Sequence, residues 1–138
     1  MRVTVRKKNL EMTPPLQIYI EQKIIAPMRK LLKGIELSDL PILDIEVERT
    51  TRHHRKGRVY RAGANLTLGK ILIRAEAEDE DVRAACDGVE GELKREVLVY
   101  KERARALLTR RARRAKNDLR LARSAVKPHA RREWHEGN

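Results

Sequence analysis

Residues 60–100 read YRAGANLTLGKILIRAEAEDEDVRAACDGVEGELKREVLVY, and this stretch decides the fold. Tyr60, Ala62, Ala64, Leu66 and Leu68 occupy alternate positions, so an extended segment would carry them on one face. Gly69-Lys70 supplies a turn, and Ile71, Ile73 and Ala75 resume the alternation, which predicts a β-hairpin. The acidic run Glu78-Asp79-Glu80-Asp81 then suits the positive end of a helix dipole. Val82, Cys86, Val89, Leu93, Val97, Tyr100 and Ala104 follow at steps of three and four. That spacing predicts a long second helix, able to run on into the C-terminal segment.

Upstream of the hairpin, Leu43, Ile45 and Val47 alternate with Asp44, Glu46 and Glu48 to give a strand that a polar basic loop, Thr51 to Gly57, joins to the next. Val3 and Val5 mark a short first strand. Thr13 before Pro14 supplies an N-cap with proline at the first helical position, and Leu16, Ile20, Ile24, Met28 and Leu31 recur at helical spacing up to Gly34. Pro27 falls inside this first helix and predicts a kink. The order is β-α-β-β-β-α. A helix between the first two strands implies a right-handed crossover and a parallel pair, and short turns make the remaining pairs antiparallel. The fold expected is an α+β two-layer sandwich: a four-stranded mixed sheet, two helices on one face, and a basic helical C-terminal extension.

A chain of 138 residues, 41% of them hydrophobic, suffices for one core and hardly for two. Lys and Arg number 32 against 20 Asp and Glu, a net charge of +12, and such a surplus calls for a polyanion as partner. The excess is uneven: residues 104–138 hold 11 basic and 3 acidic residues. That segment has few large apolar residues, chiefly Leu107, Leu108, Leu119, Leu121 and Val126, and cannot enclose a core. Two regions are therefore expected, a domain at 1–103 and an arginine-rich arm at 104–138. No stretch approaches the roughly 18 apolar residues of a membrane span, and the N-terminus lacks the apolar run of a signal peptide. A cytoplasmic protein is expected, without a membrane partner. The lone Cys86 excludes an intramolecular disulfide framework and a multi-thiolate zinc site. Tyr19, Tyr60, Tyr100 and Trp134 are the only aromatic residues, too few for a base-stacking platform, so phosphate contacts and shape are favoured as the mode of RNA recognition.

Several segments, in order along the elements just derived, carry a family likeness. They are Asn9-Leu-Glu-Met-Thr13, Ile45-Glu-Val-Glu-Arg49, Ile73-Arg-Ala-Glu-Ala77, Asp81-Val-Arg-Ala-Ala-Cys-Asp87, Glu92-Leu-Lys-Arg-Glu96 and Tyr100-Lys-Glu-Arg103. Through them residues 1–103 resemble the ribosome hibernation promoting factor and ribosome-associated inhibitor A family. The resemblance implies a fold similar to a double-stranded-RNA-binding domain. It also implies lodging between head and body of the small ribosomal subunit, over the mRNA channel and the A and P tRNA positions. Translation would stop because those sites are filled, with no bond made or broken. By position, Arg95 and Lys101 on the second helix and Lys23 on the first match basic residues the family uses on ribosomal RNA. Glu92 and Val99 stand where relatives often carry lysine, a weaker footprint for which Lys94 and Arg103 are the substitutes. Cys86 replaces the usual isoleucine and reads as a small buried thiol, with a redox switch as the alternative. The arm does not resemble the second domain of long family members, so the chain resembles a short-type factor with an added tail.

The candidate RNA contacts are Lys23, Arg29 and Lys30 on the first helix; Arg49, Arg52, Arg55, Lys56 and Arg58 at the basic loop, which Arg61 also flanks; Lys94, Arg95, Lys101 and Arg103 on the second helix; and Arg105, Arg110, Arg111, Arg113 and Arg114 on the arm. The partner expected is the small ribosomal subunit through its RNA, with no small-molecule substrate and a monomeric free state. His53 and His54 are adjacent with no third ligand patterned nearby, so no metal is assigned, and no other cofactor is expected. Glu46, Glu48 and the acidic run could be imagined as a nuclease cluster, but strand alternation and helix-start chemistry account for them. No phosphate loop or nucleophile arrangement points to an enzyme. In the arm, Leu108, Ala112, Ala115, Leu119, Ala122 and Val126 form a faint heptad-like stripe. A basic helix ordered against RNA phosphates is the favoured reading of the arm, an oligomerising or ribosome-tethering helix is the rival, and general duplex binding is a third possibility.

Overall fold

The computed structural model describes residues 1–35, 37, 39–50 and 59–136, with side chains through residue 124. Strands β1 (Arg2–Lys8), β2 (Ile42–Arg49), β3 (Tyr60–Leu68) and β4 (Ile71–Asp79) form one sheet in the order β1-β2-β3-β4. β1 and β2 pair parallel across the helical crossover, and the other two pairs are antiparallel. Gly69 makes the β3–β4 turn at φ +63°, a left-handed conformation that costs glycine nothing. Cross-strand register sets the apolar residues in rows: Val3, Leu43, Leu66 and Ile73 in one, Val5, Ile45, Ala64 and Ala75 in the next. In the third, Val47, Ala62 and Ala77 continue the pattern while β1 contributes Lys7 at the edge.

The crossover is a helical run in three pieces: α1 (Pro14–Ile20), a π-helical turn (Glu21–Ile25) and α2 (Ala26–Leu32). Thr13 caps it, its hydroxyl accepting the Leu16 N–H at 3.4 Å. The kink expected at Pro27 takes the form of the π turn. Proline has no N–H to offer the carbonyl four residues back and its ring crowds that carbonyl. Directly before it the ladder widens, and the Ala26 N–H bonds to the Glu21 carbonyl. The widened turn brings adjacent Ile24 and Ile25 into the core together. It also changes the end of the stripe: Leu32 is buried, whereas Leu31, the residue expected from strict spacing, only packs against the core's margin.

Helix α3 spans Val82–Glu136. It begins after the acidic run rather than within it: Glu78 and Asp79 are still strand, and its first turn carries no acid. Asp79 shapes the junction instead, its carboxylate accepting the N–H groups of Glu80 and Asp81 at 2.7 and 3.4 Å. Ala85, Cys86, Val89, Leu93 and Val97 are fully buried and join the strand rows and the crossover helix in one cluster. Gly88 lets α3 lie close on the sheet, since a Cβ there would stand 2.8 Å from that of Ala77. No polar or charged side chain is buried among the described residues. Contacts divide the chain into two units, Met1–Tyr100 and Lys101–Asn138, the division falling three residues before the boundary drawn from charge. No helix among the described residues is long and apolar enough to cross a membrane.

Candidate nucleic-acid interface

In the first unit, the sheet face turned away from the helices is polar, and its centre is an ion-pair network. Arg61 on β3 lies beside Glu48 in register, while the neighbouring position, Gly63, faces Glu46 on one side and Glu76 on the other. With no side chain at Gly63 the guanidinium lies over it; a Cβ there would sit 3.8 Å from an Arg61 Nη. Arg61 thereby reaches Glu46 at 3.8 Å and Glu48 at 3.4 Å, and donates from Nε to Glu76. The bond to Glu76 holds the guanidinium above its usual range, against the opposing effect of burial. Arg61, which the sequence places beside the loop cations, is thus already engaged. Glu46 and Glu48 share the Arg61 guanidinium, and among the described residues no three acids, histidines or cysteines are grouped to hold a metal.

Across the helices, Tyr19 of α1 donates from its hydroxyl to Asp87 of α3 at 2.5 Å. Two cations flank its ring: Lys23 Nζ at 6.0 Å and the Arg83 guanidinium carbon at 5.3 Å from the centroid. The hydrogen bond to Asp87, then desolvation and the Asp87 charge, push the Tyr19 hydroxyl up to about 12 from its ordinary 10, although Arg83 opposes the shift. A raised folded value means the native state holds this proton more tightly than the unfolded chain does. The stabilisation is therefore complete below pH 10 and is lost as pH rises towards 12. In a tyrosinate absorbance titration, the Tyr19 step should lie about two pH units above the ordinary value, and Asp87→Asn should bring that step down. A late step that survives Tyr19→Phe would assign the shift to another tyrosine.

The candidate cations fall in different places. Arg49, exposed at the end of β2, lines a depression of about 300 Å³ together with Arg83, Tyr60, Thr13, Asn9 and Glu11. Lys23 is exposed on the π turn beside Tyr19. Arg29 and Lys30 are exposed on α2, where Arg29 donates to Glu21 at 3.4 Å and lines a separate depression with Met1, Leu32 and Leu40, the last lying just before β2. Lys94 and Arg95 point outward from α3. Glu92, read above as a lost RNA contact, has a structural use: its carboxylate accepts the backbone N–H of Glu76 at 3.3 Å, on the open edge of β4. Arg52, Arg55, Lys56 and Arg58, with His53 and His54, lie outside the described residues. Arg83 is the cation missed in the sequence reading. Its signal was the four-residue spacing of Arg83 to Asp87 and of Tyr19 to Lys23, which puts each pair on one helix face.

In the second unit, Lys101 is half-buried, and Arg103, Arg105, Arg110, Arg111, Arg113 and Arg114 are exposed. Helical spacing lines up Arg113, Lys116, Arg120 and Arg123 on one stripe and Leu108, Ala112, Ala115, Leu119 and Ala122 on another. Leu108 and Leu119 are 64% and 62% exposed, so no apolar surface covers that stripe among the described residues. The side chain of Val126, its expected continuation, lies outside them. Cys86, by contrast, is fully buried, and burial, then the charges of Asp87 and Asp81, push its thiol up to about 11. Such a thiol yields little reactive thiolate near neutrality, which disfavours the redox-switch alternative.

Comparison with known proteins agrees with this architecture. A family model described as sigma 54 modulation protein / S30EA ribosomal protein matches residues 3–105. The structure is similar to the N-terminal domain of protein Y from Thermus thermophilus, with a TM-score of 0.54 and 24% identity, covering 72% of this chain and 99% of that one. It is also similar to a ribosomal subunit interface protein from Coxiella burnetii, with a TM-score of 0.54 and 20% identity, covering 74% and 99%. At these identities the two likenesses establish the fold. No curated protein sequence gives a significant match.

Proposed function

The chain belongs to the sigma 54 modulation protein / S30EA ribosomal protein family, a family of non-enzymatic ribosome-associated modulators, and on that premise we propose that it is a hibernation factor of the small ribosomal subunit. In this reading the domain fills the decoding cleft, excludes mRNA and the A- and P-site tRNAs by bulk, and preserves idle ribosomes in the cytoplasm. Phosphate contacts supply most of the affinity, and specificity comes from fitting a rigid wedge to a rigid RNA cleft. The observation that carries the reading is the segregation of charge. Arg61 is held among three carboxylates, Glu46, Glu48 and Glu76, at the centre of the sheet face, whereas Lys23, Lys94 and Arg95 stand exposed on the helices.

The test is a reconstituted translation assay paired with tRNA and mRNA binding to small subunits. The protein should inhibit translation and lower occupancy by both ligands, and the double charge reversal Arg95→Glu with Lys101→Glu should relieve inhibition. Undiminished tRNA and mRNA binding at saturating protein would overturn the proposal. Equal affinity for arbitrary RNA duplexes at moderate salt would replace it with general duplex binding. The exposed leucines of the arm favour one further reading, self-association through the Leu108–Ala122 stripe. Light scattering decides that: a concentration-dependent dimer lost on deleting residues 104–138, with tRNA binding unaffected, would make the arm a tether. A monomeric free protein is what the proposal expects.

A further inference from the structure

Three depressions in the first unit differ in their balance of charge. The one on the sheet face sets Arg6, Arg61 and Arg74 against Asp44, Glu46, Glu76 and Glu92, so it is neutralised from within. The one holding Arg29 is lined chiefly by aliphatic side chains, and Arg29 already pairs with Glu21. The third brings Arg49 and Arg83 together, and among the described residues neither guanidinium is in an ion pair. Arg49 arrives from the end of β2 and Arg83 from the start of α3, so two separate elements converge on it.

Resting on the RNA-binding reading above, we propose that this depression between the end of β2 and the start of α3 seats one backbone phosphate of the RNA, gripped by Arg49 and Arg83 together. Arg83 is braced for that task. Its guanidinium carbon lies 5.3 Å from the centroid of the Tyr19 ring, a cation–π contact that engages the charge without a carboxylate, and a guanidinium's planar N–H fork matches phosphate geometry. Tyr19 is itself fixed by Asp87, which makes it a positioning residue rather than a contact. Glu11 on the wall gives one opposing charge against two arginines. Its repulsion supplies an independent handle on the site.

The experiment is a salt titration of the full-length chain binding to small ribosomal subunits, comparing Arg49→Gln, Arg83→Gln, the double variant and Glu11→Gln. Each neutralised phosphate contributes about 0.7 to 0.9 to the slope of log affinity against log salt. Each single substitution should therefore lower the slope by up to that amount. The double should lose little more, because both arginines hold the same phosphate. Glu11→Gln should tighten binding. Tyr19→Phe, which keeps the ring under Arg83, should leave the slope in place, whereas Tyr19→Ala should reduce it.

A slope unchanged in the double variant, alongside a reduced one for Arg95→Gln, overturns this site and leaves the RNA-binding reading standing. Additive losses in the double overturn the shared phosphate, and weaker binding at constant slope overturns a phosphate as the ligand. If the unaltered protein binds small subunits without salt dependence, the broader reading fails first. Thermal unfolding of each variant guards the comparison, since Arg49 and Arg83 are exposed and should leave stability unchanged.

Discussion

The affinity gap for small subunits between the full-length chain and one lacking residues 104–138 should narrow by roughly a thousandfold as salt rises from 50 to 200 mM. The effect is electrostatic. Arg105, Arg113, Lys116, Arg120 and Arg123 are exposed on a continuous helix, and at 1.5 Å per residue they extend over about 27 Å. Arg110, Arg111 and Arg114 widen the cationic surface. If such a surface neutralises about six phosphates, it contributes about five units to the salt slope, and the shortened chain should lack them. The shortened protein should still fold, because among the described residues every buried one lies between Leu16 and Val97. A second variant separates charge from length: alanine at 113, 116, 120 and 123 preserves helix propensity and should reproduce about two-thirds of the flattening. An identical slope in long and short forms would leave the arm without RNA to touch.

The fold was legible because its elements have simple periods. Tyr60 to Leu68 alternates, the alternation resumes through Ile71, Ile73, Ala75 and Ala77 after the Gly69-Lys70 turn, and Val82 to Val97 repeats at three and four, so strands, turn and helix follow from spacing and one turn signal. Spacing and structure part where backbone geometry departs from those periods. Ile24 and Ile25 are adjacent, and a 3.6-residue repeat buries one of such a pair most readily. The π turn before Pro27 buries both and moves the end of the stripe to Leu32. A proline signals trouble in a helix without saying how the helix will absorb it.

The site was less legible, for a different reason. Cations can be counted from sequence, but the carboxylates that already hold them depend on register. Arg61 looked equivalent to Arg49, twelve residues away and flanking the same loop. Only the opposition of Gly63 to both Glu46 and Glu76 shows that Arg61 is enclosed by acids while Arg49 is not. Arg83 was passed over because its surroundings come from α1, more than sixty residues earlier in the chain. Glu92 looked like a missing positive charge; the open edge of β4 gives it a partner that no local pattern announces.

Leu93→Ala should cost about 2 to 5 kcal/mol of stability, measured as a lower urea midpoint at unchanged slope. Leu93 is fully buried on α3, and deleting its terminal carbons removes both transfer free energy and packing contacts. The loss should fall toward the upper end of that range. The sheet rows facing the helices are rich in alanine, at Ala62, Ala64, Ala75 and Ala77, and an alanine has no rotamer with which to fill a gap. The approach of α3 is also limited at Gly88, whose Cα already lies against Ala77, so the helix cannot settle inward to close the cavity. Against a total stability of about 5 to 15 kcal/mol, the variant should melt well below the parent protein. Its binding to small subunits, measured at a temperature where it remains folded, should nevertheless match the parent's. The neighbouring charges on Lys94 and Arg95 face outward and are unaltered. Arg95→Ala should behave in the opposite way, with stability kept within about 0.5 kcal/mol and affinity reduced. Should Leu93→Ala cost less than about 1 kcal/mol, α3 would not be seated on this sheet in solution as it is in the structure, and the footprint assigned to its outer face would lose its foundation.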